Sequence, residues 1–398
     1  MVRDPPVSRR ATLRLLGGAG AAAATTGLAS ADGEGDDRQR YNVGYDRASG
    51  KRAARGRADS VAHEFAFDAL TIEADEEAAR GLQRRNDVRY VEEDGEMEAL
   101  GETLPWGIDR TDADVAHSNG DTGDGVDVAI IDTGIDHDHP DLAGNLGDGK
   151  AFVTTTELGA PAWEDDNGHG THCAGTADAL DDSEGVIGVS TTAVLHAVKV
   201  PGSLGTGSTS DVARGIEYTA DQGWEVASLS LGGGASSTLK EACEYAASKG
   251  VTLVAAAGND GPCTDCVGYP AAYSECIAVS ATNKDDQLAD FSSQGPEVEI
   301  AAPGADVYST YDGDSYETLS GTSMACPHVS GAAAQAIANG ASSRSEVRSA
   351  LKNNAEDIGL TSNEGGAGLL DVATMLGYDS SDDGTGDGGG DGGGGLLG

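Results

Sequence analysis

Gly321-Thr322-Ser323-Met324-Ala325-Cys326-Pro327-His328-Val329-Ser330-Gly331 runs on into Ala332-Ala333-Ala334, and no charge interrupts the chain as far as Asn339. A helix without a polar face has to lie inside the protein. Burying it takes layers of other structure around it, and that requirement governs how the remaining stretches are read. Pro327 sits near the start of the apolar run. Proline costs little in a first helical turn, where its missing N–H has no partner. Ser323 is therefore read at or just before a helix N-terminus, where partial positive charge favours a developing oxyanion. Acting only as an N-cap is the commoner role of a lone serine, and other stretches decide between the two.

Outward from this helix, Val126-Asp127-Val128-Ala129-Ile130-Ile131 is an apolar, β-rich run ending in Asp132-Thr133-Gly134. Leu195–Val200, Val226–Leu231, Val251–Ala257 and Cys276–Ala281 are further strand candidates. Helical patterns lie between them at His172–Ala179, Ser210–Gln222 and Thr238–Lys249, with a surface helix at Ser343–Asn353. Strands alternating with helices predict a three-layer α/β fold with a mainly parallel sheet covered on both faces. This domain is assigned to residues 101–376.

Ahead of it, residues 41–100 read as a small α+β unit. Tyr41–Tyr45 and Val88–Asp94 look like strands, Ala62–Ile72 alternates apolar and polar residues, and Asp75–Gln83 is helical in pattern. Its place suggests a propeptide rather than a bland accessory domain. At the N-terminus Ser8-Arg9-Arg10-Ala11-Thr12-Leu13 precedes an uncharged Ala/Gly-rich run and the A-x-A-like Ala29-Ser30-Ala31. Residues 1–31 thus resemble a twin-arginine export signal, with Thr12 where a bulkier apolar residue is usual, and the run is too short and weakly apolar for a membrane span. Residues 377–398 are mostly Asp, Gly and Ser before Leu396-Leu397 and read as a disordered tail.

The net charge of −42, from 67 acidic against 25 basic residues in 398, argues against nucleic acid or an anionic membrane as partner. Disorder is one reading of such acidity. A folded protein whose carboxylate surface stays hydrated in concentrated salt is the better one, because the acidic residues are interspersed with well-patterned strands and helices.

Activating a serine at neutral pH needs a base to take its proton and a carboxylate to orient that base. Asp132 ends the first core strand, at the carboxyl edge where α/β sheets place their sites. His169 lies in Asn167-Gly168-His169-Gly170-Thr171-His172-Cys173-Ala174-Gly175-Thr176, where flanking glycines let other backbone approach closely. Ser323 completes an Asp, His, Ser order in which this triad occurs. Asn259, after Ala255-Ala256-Ala257-Gly258, supplies an amide that joins the Ser323 N–H as an oxyanion hole.

These four segments, in this order from about Thr103 to Met375, resemble the subtilisin family of serine endopeptidases, and most closely the halolysins, the secreted subtilases of halophilic archaea. The resemblance implies triad roles for Asp132, His169 and Ser323 and an oxyanion role for Asn259. It gives His172 and His328 structural positions; His137 and His139, in a polar turn, are read as solvated. It implies that peptide substrates add as a strand along Ser230-Leu231-Gly232 and Gly205-Thr206-Gly207. Ala256, Ala257, Gly258 and Gly268 match the walls of the P1 pocket, which is expected to admit large apolar side chains, and Leu231 and Val212 match the P4 pocket. Residues 41–100 resemble the family's propeptide, an intramolecular inhibitor, with self-cleavage after Leu100. Leu180-Asp181-Asp182-Ser183-Glu184-Gly185-Val186 matches its tight calcium loop: side-chain oxygen from Asp182 and backbone oxygens from Leu180, Glu184 and Val186, joined by Asp141 and Glu102, suffice for structural Ca2+. A monomer is implied.

Cys173 and Cys326 fall in catalytic motifs and are read as buried free thiols. Cys263 and Cys266 form either a short disulfide or halves of two longer ones with Cys243 and Cys276, and spacing does not choose between them. Zinc is disfavoured there, since no second Cys or His pair has the right spacing. An esterase is disfavoured by the absence of G-x-S-x-G around Ser323. A catalytically silent, acidic cell-surface binding protein is the remaining alternative, and the complete triad counts against it.

Overall fold

The computed structural model describes residues 39–93, 102–154 and 159–379. The signal segment 1–31, the cleavage point after Leu100 and residues 380–398 of the tail lie outside them. The chain divides into two compact units between Glu98 and Ala99.

In the first unit β1 (Gln39–Tyr45), α1 (Ala48–Arg57), β2 (Ser60–Phe65), β3 (Ala69–Ala74), α2 (Glu76–Gln83) and β4 (Val88–Glu93) follow one another. The strands form an antiparallel sheet in the order β2-β3-β1-β4. Asp75 caps α2 by accepting the Ala78 amide at 2.6 Å. The core holds Tyr41, Val43, Leu70, Ile72 and Leu82. Helix α1 was not foreseen. Its sequence, with two glycines and four bases, has no apolar stripe, and it buries only Gly50 and Ala54.

The second unit begins with α3 (Trp106–Arg110) and α4 (Ala113–Ser118). Then come β5 (Asp127–Asp132), β6 (Lys150–Ala151), α5 (His169–Asp178), β7 (Val194–Lys199), α6 (Thr209–Gln222), β8 (Val226–Leu229), α7 (Ser237–Lys249), β9 (Thr252–Ala256), β10 (Cys276–Thr282) and β11 (Val298–Pro303). A hairpin of β12 (Val307–Tyr311) and β13 (Ser315–Leu319) leads into α8 (Thr322–Ala338) and α9 (Arg344–Asn353). The seven-stranded sheet has the order β11-β10-β9-β8-β5-β7-β6, and all its pairings are parallel. This is the expected three-layer α/β fold.

Side-chain alternation along each strand supplies both layers. Val128 and Ile130 pack into the cluster that holds α5 and α8, while Ala129 and Ile131 pack on the opposite side with α6 and α7. In α8 only Ser323, Ile337 and Ala338 of 17 residues escape burial, as an uncharged helix requires. Pro327 is the exception to expectation. It is the sixth helical residue, not part of the first turn, so its missing N–H deprives an interior carbonyl of a partner. That carbonyl is Ser323's, four residues earlier.

Candidate active site

Strand β5 starts in the middle of the sheet. Its successors β6 and β7 lie on one side of it, and β8 to β11 lie on the other. Ligand crevices of open parallel sheets form at the carboxyl ends of strands where the order reverses. Asp132 is the last residue of β5, and Ser230 follows the end of β8 at Leu229.

Asp132 is buried, and its Oδ1 lies 2.7 Å from both the Thr133 amide and His169 Nδ1. The His169 ring keeps 29% of its side-chain surface exposed. Gly170 permits the approach, since a Cβ there would stand 2.1 Å from the Gly134 carbonyl oxygen. Burial is the largest single influence and opposes the charged ring, but its polar neighbours, the Asp132 carboxylate first among them, together outweigh it and hold the His169 pKa well above the ordinary 6.5. Lys199, fully buried, ties the two loops together. Its Nζ donates to the Thr133 carbonyl, to the Glu164 carbonyl at 2.8 Å and to Asp166 Oδ1 at 2.6 Å. No motif pointed to Lys199, because only the fold shows that the end of β7 passes beneath both loops.

Ser323 is the second residue of α8. Its carbonyl, orphaned by Pro327, accepts from Ser230 Oγ at 2.8 Å and from Cys173 Sγ at 3.4 Å. The Ser323 hydroxyl donates to the Ser230 carbonyl at 3.2 Å. Cys173 Sγ is also 4.0 Å from His169 Nδ1, so the serine and the imidazole share one neighbour. Burial raises the Cys173 and Cys326 thiol pKa values, the latter to about 11, so both stay neutral. Asn259 Oδ1 accepts from the Thr322 amide at 2.9 Å and the Thr322 hydroxyl at 3.0 Å, which fixes the amide and leaves Nδ2 unclaimed by any described residue. A Cβ on Gly321 would lie 3.3 Å from that Nδ2 and 3.6 Å from the Ser323 N, so both donors border the same space.

Two adjoining cavities form a groove along these residues. One, of about 390 Å³, is lined by Asp132, His169, Gly205, Thr206, Gly207 and Val212 among others. The other, of about 350 Å³, is lined by Ala256, Gly258, Asn259, Gly268 and Ser323. Ser230, Leu231 and Gly232 belong to both walls. Ala257, expected on the pocket wall, does not line it. It is fully buried, and its carbonyl accepts the Gly268 amide at 2.8 Å. Tyr269, which the sequence did not single out, closes the groove by pairing with Gly233 through two backbone hydrogen bonds. Among the described residues the peptide groups of Leu231 and Gly232 make no backbone hydrogen bond, so this edge is open to a strand.

The acidic loop after α5 gathers oxygen donors. Glu102 Oε1 accepts the Asp182 amide at 2.8 Å, and Asp141 Oδ2 accepts the Val186 amide at 2.8 Å. The carbonyls of Leu180, Glu184 and Val186 accept no hydrogen bond from a described residue. Burial above all, with Asp182 adding to it, pushes the Asp141 carboxyl above its ordinary value. An all-oxygen set around an under-compensated buried carboxylate fits a hard divalent cation.

The other histidines divide. His172 and His328 are buried on backbone carbonyls, and burial pulls each pKa down to about 4. His139, expected in solvent, is completely buried. It accepts the Asp141 amide at Nδ1 and meets the Ser315 carbonyl at Nε2, because the β12–β13 hairpin folds over it. His137 is 39% exposed at its side chain but faces Glu164. Cys263 and Cys266 form the short disulfide, while Cys243 and Cys276 are free with sulfurs 4.0 Å apart.

No helix among the described residues is long and apolar enough to cross a membrane. Residues 123–386 match the model of the subtilase family. The chain is 45% identical over 313 residues to an alkaline protease of Shouchella clausii, covering 78% of this chain and 80% of that one. It is 47% identical over 273 residues to subtilisin Savinase of Lederbergia lenta, covering 68% and 98%. It is 39% identical over 356 residues to subtilisin E of Bacillus subtilis (strain 168), covering 86% and 92%. With the parallel sheet, the Asp132–His169 contact and the helix-borne Ser323 in place, these matches show that the chain belongs to the subtilase family and is a serine endopeptidase.

Proposed function

We propose that Ser323 is the nucleophile of an exported, salt-adapted endopeptidase, with His169 as its base, Asp132 as the orienting carboxylate and Asn259 as an oxyanion donor. The observation that carries this is the 2.7 Å Asp132–His169 contact, which holds Nδ1 and turns the other ring nitrogen to the groove that Ser323 borders. Ser323 Oγ attacks the scissile carbonyl carbon as its proton passes to His169 Nε2. The C–N bond then breaks, the leaving amine takes that proton, and water releases the acyl group by the same relay. Asn259 Nδ2 and the Ser323 N–H receive the charge on the carbonyl oxygen.

The finer features follow from the same reading. The cavity behind Ser323 has the small residues Ala256, Gly258 and Gly268 in its wall, which supports room for large P1 side chains, apolar ones by resemblance. The net charge of −42 and the halolysin-like motifs support work in strong salt, which screens self-repulsion. Residues 1–31 direct twin-arginine export, and residues 41–100 act as an inhibitor removed by cleavage after Leu100. Glu102, Asp141 and Asp182, with carbonyls of Leu180, Glu184 and Val186, would hold a Ca2+ that braces the fold as a monomer.

The test is the full chain refolded in strong salt with calcium, followed by intact mass and N-terminal sequencing beside Ser323→Ala. Wild type is expected to become a species starting at or near Gly101 while the variant stays whole. If both fold and neither is processed, the nucleophile assignment is wrong and a silent binding protein takes its place.

A further inference from the structure

Five residues after Asp132 and five before His169, a second polar cluster forms that the peptidase chemistry does not use. It consists of Asp136, His137, Asp138 and Glu164, each offering a donor atom within 4.8 Å of the others. Glu164 is the centre of the argument. It is only 3% exposed, and its Oε2 is buried without a hydrogen-bond partner. His137 Nδ1 is equally buried, and the two atoms form an ion pair 2.7 Å apart whose angles are not those of a good hydrogen bond. An imidazole and a carboxylate that share one proton in this way can share a cation in its place, and two further carboxylates stand within reach of the same point.

The surroundings are built in the same sense. Asp136 Oδ2 is held from behind by the amides of Gly313 at 2.9 Å and Asp314 at 3.3 Å, and its own amide is bonded by Thr171 Oγ1 at 3.0 Å. Outer hydrogen bonds of this kind orient first ligands. Lys199, buried beside the cluster, meets Glu164 at its backbone carbonyl and pairs its charge with Asp166. Burial therefore raises the pKa of both Glu164 and Asp136, with His137 pulling Glu164 the other way. Asp138, 75% exposed at its side chain, forms the solvent side and leaves an entry path.

We propose that Asp136, His137, Asp138 and Glu164 form a binding site for a borderline divalent transition cation of the zinc class. An imidazole among carboxylates suits such an ion, whereas calcium takes oxygen alone. Tetrahedral bonds of ~2.0–2.1 Å set donors about 3.3 Å apart, so the His137–Glu164 pair opens by about half an ångström to admit it. Filled, the site clamps the turn after Asp132 to the loop before His169, next to the Lys199 tie. It is separate from the oxygen-only calcium loop.

The probe is Co2+, titrated into the full-length Ser323→Ala chain folded in strong salt with calcium saturating. One equivalent is expected to give the intense visible bands of a four-coordinate ion, bleached by Zn2+. His137→Gln is expected to weaken Co2+ by at least ~100-fold, beyond what loss of an outer-shell partner costs, with circular dichroism unchanged. Absent bands, or bands unaltered in His137→Gln, overturn the proposal, the latter by placing the ion elsewhere in this acidic chain. If His137→Gln does not fold, Asp138→Asn on the exposed side decides. Unchanged affinity and band shape there also overturn it.

Discussion

Pro327 leaves the Ser323 carbonyl without its helical donor, and the structure hands that carbonyl to the Ser230 hydroxyl at 2.8 Å. Ser230→Ala removes the stronger donor from a carbonyl that the helix cannot satisfy. Cys173 Sγ at 3.4 Å remains, but a thiol is a weak donor. A fully buried carbonyl left unsatisfied costs ~1–3 kcal/mol, and the partial burial of Ser323 with the residual thiol contact puts this case in the lower half, at ~1–2 kcal/mol. For a unit of this size that is a Tm loss of roughly 2–6 °C. The explanation is specific to the proline, and this is what makes it testable. In a Pro327→Ala background the new amide reaches the Ser323 carbonyl, so Ser230→Ala is expected to cost less than ~0.5 kcal/mol. The coupling of about 1 kcal/mol is read from a double-mutant cycle. Thermal unfolding at one scan rate serves as the assay, in strong salt with calcium and with Ser323→Ala throughout to prevent self-digestion. Equal losses in both backgrounds would refute the idea that Ser230 replaces the helical hydrogen bond.

The raised His169 pKa makes the imidazole a base only on the alkaline side, so kcat/KM is expected to fall as pH drops through a value above 6.5; an acid limb at or below 6.5 contradicts it. By the same shift, charged His169 stabilises the folded state fully below about 6.5, a contribution lost as pH rises through the folded value. His172 and His328 act in the opposite sense: folded values of about 4 against an ordinary 6.5 mean that stability falls as pH drops from 6.5 toward 4, and His328→Gln is expected to flatten that fall in Tm against pH. Asn259→Ala is expected to lower kcat ~10²–10³-fold with KM little changed, and a purely KM effect counts against an oxyanion role. Chelation of calcium is expected to lower Tm in wild type and to change it little in Asp141→Asn; equal sensitivity in both places the ion elsewhere.

Much of the site was legible in the residues because its parts are local. Asp132 ends an apolar strand, His169 stands among glycines, and Ser323 opens an uncharged helix, and each pattern follows from backbone chemistry within a few positions. The parallel sheet followed from strands alternating with helices. Among the elements that escaped notice, α1, β11 and the β12–β13 hairpin lack strong periodicity, and the last two are defined by what they pair with or cover. What only the tertiary structure decided is which distant groups complete one another. Pro327 needs Ser230 from the end of β8, Lys199 needs the loops around Thr133 and Asp166, His139 is buried by Ser315 and its hairpin, and His137 meets Glu164 across 27 positions. Sequence reports the spacing of side chains along one chain. Burial and hydrogen-bond satisfaction depend on segments brought together through space, and no local pattern encodes them.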